Sequence, residues 1–162
     1  LWHQPELSFF VRRQWKVLLV SEAVFLLFFG MWALYRTYDP TYIHTEKPMD
    51  FSLLNASLLA SSFPPADPWL SGFGVGYYYF GYLMYAFLAK ISFVSAPIAY
   101  NLGLSSVAGL AAVAIFGLVF NLARISRMTI VTALMAGLVS TVFLLVLGNL
   151  EGFLELVAFR NA

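Results

Sequence analysis

Between Pro97 and Ala123 the chain carries no charged side chain. As a helix rising about 1.5 Å per residue, that stretch reaches roughly 40 Å, more than the ~30 Å hydrocarbon layer of a bilayer. Two further runs behave alike. Residues 128–148 are also free of charge, and residues 17–35 (VLLVSEAVFLLFFGMWALY) carry only Glu22. The latter run reaches roughly 28 Å at the same rise. Composition extends the demand to the whole chain. Of its 162 residues, 61% are hydrophobic and 10% charged, against about 45–50% and about 25% in a soluble domain. One core of ordinary size cannot absorb that excess, so the bilayer must. The expected class is an all-α, polytopic membrane bundle of three to four transmembrane helices. This hydropathy excludes a soluble hydrolase, and a net charge of +1 offers nucleic acid no attraction. The absence of cysteine removes disulfides, thiolate metal sites and cysteine nucleophiles.

Around these runs the chain reads as one membrane domain over 1–162. Residues 1–16 mix Trp2, Leu7, Phe9, Phe10, Val11 and Trp15 with Glu6, Arg12, Arg13 and Lys16, an interfacial lead-in with its basic cluster at the headgroups. That cluster precedes the first span, 17–35, and predicts a cytoplasmic N-terminus. Residues 36–76 then form an extracytoplasmic loop, and such long loops are usually functional or disordered. Its many aromatic and aliphatic residues argue for order. Within it, residues 50–62 (DFSLLNASLLASS) space Phe51, Leu54, Leu58 and Leu59 helically after an acidic start, predicting a juxtamembrane helix. Residues 97–123 and 128–148 are the later spans, with Pro97 suited to a first helical turn. The pairs Ser105/Gly109 and Ala108/Ala112 suit close helix packing. Residues 149–162 are expected to form an external loop and the start of the next segment. The chain opens on Leu1 and ends just after an apolar run, so it is expected to be a piece of a longer protein.

Residues 77–94 (YYYFGYLMYAFLAKISFV) admit two arrangements. If they span, Arg124 and Arg127 fall outside the cytoplasm, against the positive-inside bias. If they re-enter or lie along the interface, three spans remain, those arginines are cytoplasmic, and Asn149 and Glu151 join the polar loop outside. The second arrangement is preferred.

The loop concentrates ionisable groups: Arg36, Asp39, His44, Glu46, Lys47, Asp50 and Asp67. A carboxylate at a membrane face can act as a general base or hold a divalent cation, and Pro48 restricts Lys47, helping to fix Asp50. The plainer alternative is a solvated loop tethering two helices. No zinc-type spacing and no glycine-rich phosphate loop is present. Asn55-Ala56-Ser57 matches a glycosylation sequon. Glu22, inside a span, is either functional or snorkels to the interface. Tyr77, Tyr78 and Tyr79 suit stacking on a sugar or lipid headgroup, or a plain aromatic belt.

The order EKPMDF (46–51), FPPADPWLSG (63–72), GYYYFGY (76–82) and APIAYNLG (96–103) resembles the YYY-motif polytopic membrane proteins of archaea and bacteria. The likeness runs from Arg36 to Asn101. That family in turn resembles the GT-C class of membrane glycosyltransferases, which pair a first span with an external loop bearing an early acidic residue. The resemblance implies the N-terminal part of a GT-C-like fold in a prokaryotic plasma membrane. It implies transfer of a sugar from a polyprenyl-phosphate donor at the extracytoplasmic face. Asp50 would be the catalytic carboxylate with Glu46 beside it, although the Asp-Glu pair of the mannosyltransferases is missing in that form. Substrate-binding residues would be Arg36, Lys47, Asp67, Tyr77, Tyr78, Tyr79, Asn101 and Glu151. A divalent cation, Mg or Mn, would be held at Asp50 where one is used. Partners would be membrane lipids, the lipid-linked sugar donor, and the rest of the protein or adjacent membrane subunits. The competing readings are a transporter or flippase, which wants ionisable groups near the midplane, and a structural subunit of a membrane complex.

Overall fold

A computed structural model describes residues 4–43, 45–148 and 158, with side chains from residue 8 onward. The described residues form five α-helices: α1 Gln4–Tyr38, α2 Lys47–Leu59, α3 Phe80–Ser92, α4 Ala96–Ile125 and α5 Ile130–Val142. A π-helical turn, Phe143–Leu147, prolongs α5. Three stretches are long and apolar enough to cross a membrane: Ser8–Tyr38, Ala96–Ile125 and Ile130–Leu147. Burial within the protein takes only 11%, 28% and 17% of their apolar windows. The remaining leucines, valines and phenylalanines point outward, the arrangement a lipid solvent favours.

The chain divides into two compact units, Leu1–Phe29 with Ala108–Ala162, and Gly30–Val107. The first unit packs the start of α1, the end of α4 and α5. Val24 and Phe28 of α1 meet Ala112 and Phe116 of α4, while Val17 lies with Phe120, Ala123 and Ala133. Rising numbers on α1 thus meet falling numbers on α4, so the two run antiparallel. Close approach needs small residues where no hydrophobic force between helices operates in lipid. A Cβ on Gly109 would lie 2.8 Å from the Phe25 ring, and one on Gly137 would lie 2.8 Å from the Phe116 ring. Of the two expected small-residue pairs, Ser105 and Ala112 are fully buried. Thr141 turns its hydroxyl back to Gly137 O at 2.9 Å, so no polar group is stranded there.

The second unit holds the polar loop. Helix α2 starts at Lys47, earlier than the expected 50, because Pro48 is tolerated in a first turn and Asp50 complements the positive helix end there. It packs on α3 around Leu54, Ala86 and Tyr100. Between them, residues 60–79 fold on themselves. Val75 N–H bonds Pro65 O at 2.9 Å, Ala66 bridges Gly74, and any Cβ on Gly74 would strike Pro64. Helix α3 has 13 residues, about 20 Å, shorter than a span. It ends at Phe93, whose left-handed φ of 55° closes the helix while its N–H returns to Ala89 O and Lys90 O.

Candidate functional site

Asp50 sits in the first turn of α2, half-buried, on the wall of a cavity of about 330 Å³. Four tyrosines line it, Tyr78, Tyr82 and Tyr85 from the α3 segment and Tyr100 from α4, together with aliphatic Leu54, Leu104 and Val107 and beside Gly103. Tyr82 donates its hydroxyl to Asp50 Oδ1 at 2.5 Å. Burial first, and then this bond to Asp50, push the Tyr82 phenol far above its usual range. At neutral pH it is therefore a fixed neutral donor that holds one carboxylate oxygen in place. Tyr85 shares a hydrogen with Ser106 at 2.8 Å, and Gly103 leaves room for its ring, since a Cβ there would lie 3.3 Å from it. Tyr100 is 6% exposed, and its hydroxyl has no hydrogen-bond partner among the described groups. Such a group costs about 1–3 kcal/mol when left unpaired, and a ligand or water that pairs it recovers that cost.

Arg36 lies at the end of α1 with its side chain only 3% exposed. Its Nε donates to Asn101 Oδ1 and its Nη2 to Thr41 O, both at 2.7 Å, while Nη1 stands 3.7 Å from Asp39 Oδ2. Asn101 completes the set by donating to Pro97 O at 2.9 Å. These two expected substrate ligands are thus brought together, but they satisfy each other. They border a larger, more apolar cavity of about 640 Å³ with Ala33, Ile98 and Leu102. Its size exceeds that of the Asp50 cavity, yet its arginine and asparagine are already bonded to protein groups and it holds no carboxylate, so the smaller cavity offers more chemistry. Tyr42 on the larger wall meets Tyr100 on the smaller one edge-on at 6.4 Å.

The remaining candidates are dispersed. Glu46 is exposed as the N-cap of α2, and its side chain makes no capping bond. Lys47, half-exposed, lies three residues before Asp50 on the same helix and acts electrostatically on Asp39. Asp67 uses Oδ1 to accept from the N–H groups of Trp69 and Leu70, at 2.8 and 2.9 Å, which builds a turn. It lines a different cavity from Asp50. Tyr77 and Tyr78 are exposed and their rings tilt together at 4.7 Å, whereas Tyr79 stacks toward Phe63 at 6.4 Å. Asn55 bonds Phe51 O at 2.8 Å within α2, so the sequon's amide is already engaged by its helix. Glu22 is exposed on α1. His44, Asn149 and Glu151 fall outside the described residues.

Tyr82, Tyr85 and Tyr100 were not singled out by sequence reasoning. Tyr78, Tyr82 and Tyr85 recur at i, i+4 and i+7, the spacing of one helical face, so a signal was present inside GYYYFGY and the residues after it. Magnesium keeps several waters and is commonly held by one or two carboxylates together with substrate phosphates. Among the described residues no three histidines or carboxylates gather, and Asp50 is the single carboxylate of its cavity. A cation at Asp50 would therefore need oxygens from substrate or water beside that one carboxylate.

No curated protein and no solved structure matches the chain. A family model matches residues 2–162, nearly its whole length, and agrees with the three apolar spans described above. The chain belongs to the family described as uncharacterized membrane protein (DUF2298).

Proposed function

We propose that this chain forms the N-terminal part of a membrane glycosyltransferase of GT-C type, with Asp50 at the reacting centre. The observation that carries the reading is the Asp50 cavity. A carboxylate is held by a neutral phenol on the wall of a hollow lined by four tyrosines, one of which has a buried hydroxyl in want of a partner. Tyrosine faces and hydroxyls suit a sugar, which offers both C–H faces for stacking and O–H groups for bonding. In the proposed step Asp50 takes the proton of an acceptor hydroxyl as its oxygen bonds to the anomeric carbon. The bond from that carbon to the phosphate oxygen breaks, and the polyprenyl phosphate leaves with the electron pair. Lys47, on the same helix face as Asp50, is the cation assigned to the leaving phosphate, because Arg36 is committed to Asn101 and Thr41.

Sidedness is part of the proposal. Arg13 and Arg124 line one cleft, which puts the basic start of α1 and the basic α4–α5 turn at a single end of the first unit. Under the positive-inside rule that end is cytoplasmic. The proposal sets the loop that follows the first span, with Asp50, at the extracytoplasmic face. The test is Asp50→Asn in the full-length protein, measuring sugar transfer from a polyprenyl-phosphate donor. The proposal expects turnover to fall at least about a hundredfold, as for loss of a general base; unchanged turnover removes Asp50 from the chemistry.

A further inference from the structure

In the first unit, a cleft of about 340 Å³ is lined by Arg13 and Gln14 of α1, Phe120, Asn121 and Arg124 of α4, and Ile130 of α5. It shares no residue with the Asp50 cavity. We propose that this cleft binds the phosphodiester headgroup of an anionic phospholipid.

Two guanidinium groups from different helices face one hollow, and like charges so placed repel unless an anion lies between them. Among the described residues neither arginine has a carboxylate partner, the ion pair there being Arg36–Asp39. Arg124 gives one N–H to Met128 O, which steadies its head at the α4–α5 turn and leaves further donors free for an incoming group. Gln14 and Asn121 add amide donors. Planar guanidinium forks match phosphate oxygens bidentately, which a lone lysine does not.

Depth points to a lipid rather than a soluble phosphate. Arg13 stands just before the apolar run 17–35 and Arg124 just after the charge-free run 97–123. Both therefore lie at the edge of the hydrocarbon, where lipid phosphates are found. Phe120 and Ile130 give the cleft an apolar side that a glycerol backbone and acyl chain can use and a free phosphate cannot. A cleft of this volume is of ligand size. The bound lipid would bridge α1 to the α4–α5 turn and fix that end of the unit at the interface. This proposal does not depend on the transferase reading.

The test is native mass spectrometry of the full-length protein from mixed micelles containing phosphatidylglycerol and phosphatidylcholine. The parent is expected to retain phosphatidylglycerol preferentially. Arg13→Gln with Arg124→Gln is expected to lower that retention about tenfold, the scale of one lost charge-assisted bond, while Arg12→Gln leaves it unchanged. Equal retention of both lipids, or equal retention by the double variant, overturns the proposal. Displacement by millimolar inorganic phosphate overturns the lipid assignment in favour of a soluble phosphate. If the double variant does not fold, Arg13→Gln alone, at an exposed position, carries the same comparison.

Discussion

Replacing Arg36 by leucine tests whether it is a clamp or a substrate ligand. The side chain is 3% exposed and makes two 2.7 Å bonds, to Asn101 Oδ1 and Thr41 O. Hydrogen bonds from a charged donor contribute about 1.5–3 kcal/mol each, so the pair amounts to roughly 3–6 kcal/mol. The contact to Asp39, at 3.7 Å with that carboxylate 38% exposed, adds little, about 0–1 kcal/mol. Against this stands the cost of burying the guanidinium charge, which leucine avoids. The net loss for Arg36→Leu should be about 2–4 kcal/mol. The assay is unfolding of the full-length protein in mixed micelles, combined with Asn101→Ala in a double-mutant cycle. A coupling of about 1.5–3 kcal/mol between the two positions is expected. Coupling near zero, with stability unchanged in Arg36→Leu, would refute the clamp and return Arg36 to the candidates for phosphate binding.

Gly137→Ala should destabilise the protein by about 1–3 kcal/mol in the same assay, because the new Cβ meets the Phe116 ring at 2.8 Å and its backbone O at 3.0 Å. Gly117→Ala, with nothing within 4 Å of the added atom, should instead be neutral or stabilising by up to ~1 kcal/mol. The reverse order would show that α4 and α5 do not cross there. Asp39 accepts from the Thr41 hydroxyl, a bond that holds its carboxyl below the ordinary 3.8. The folded state therefore favours the ionised form. Its stabilising effect is complete above that ordinary value and is lost as pH falls through the lower folded value. Thr41→Val should accordingly show a stability deficit that is constant near neutral pH and shrinks in acid; a deficit that grows in acid contradicts the assignment.

The spans were legible because lipid leaves one solution for long charge-free runs, and Pro97–Ala123 and 128–148 are such runs. The lead-in over residues 1–16 was expected as interfacial, with no secondary structure assigned to it, and α1 runs through it from Gln4. Aromatic and basic residues there are as compatible with a helix as with an interface, and hydropathy alone does not separate the two. Asp50 was legible as a carboxylate at a helix start. Its partner Tyr82 was not, because a bond between α2 and α3 depends on how residues 60–79 fold back. The same holds for Arg36. Read along the chain it is a cation beside a loop; in three dimensions it is tied to Asn101, 65 positions on, and to Thr41 O. Spacing reports which residues share one element, and the pairing of distant elements decides which of them remain available to a ligand.

The reading rests most heavily on one carboxylate among several. Right-side-out vesicles bearing the full-length protein, supplied with lipid-linked sugar donor and acceptor from outside, allow Asp50→Asn and Asp67→Asn to be compared directly. Asp67 serves a turn through Trp69 and Leu70 and lines a separate cavity. Transfer lost with Asp50→Asn and kept with Asp67→Asn is the predicted result. Equal transfer by the Asp50→Asn protein and its parent would contradict the account.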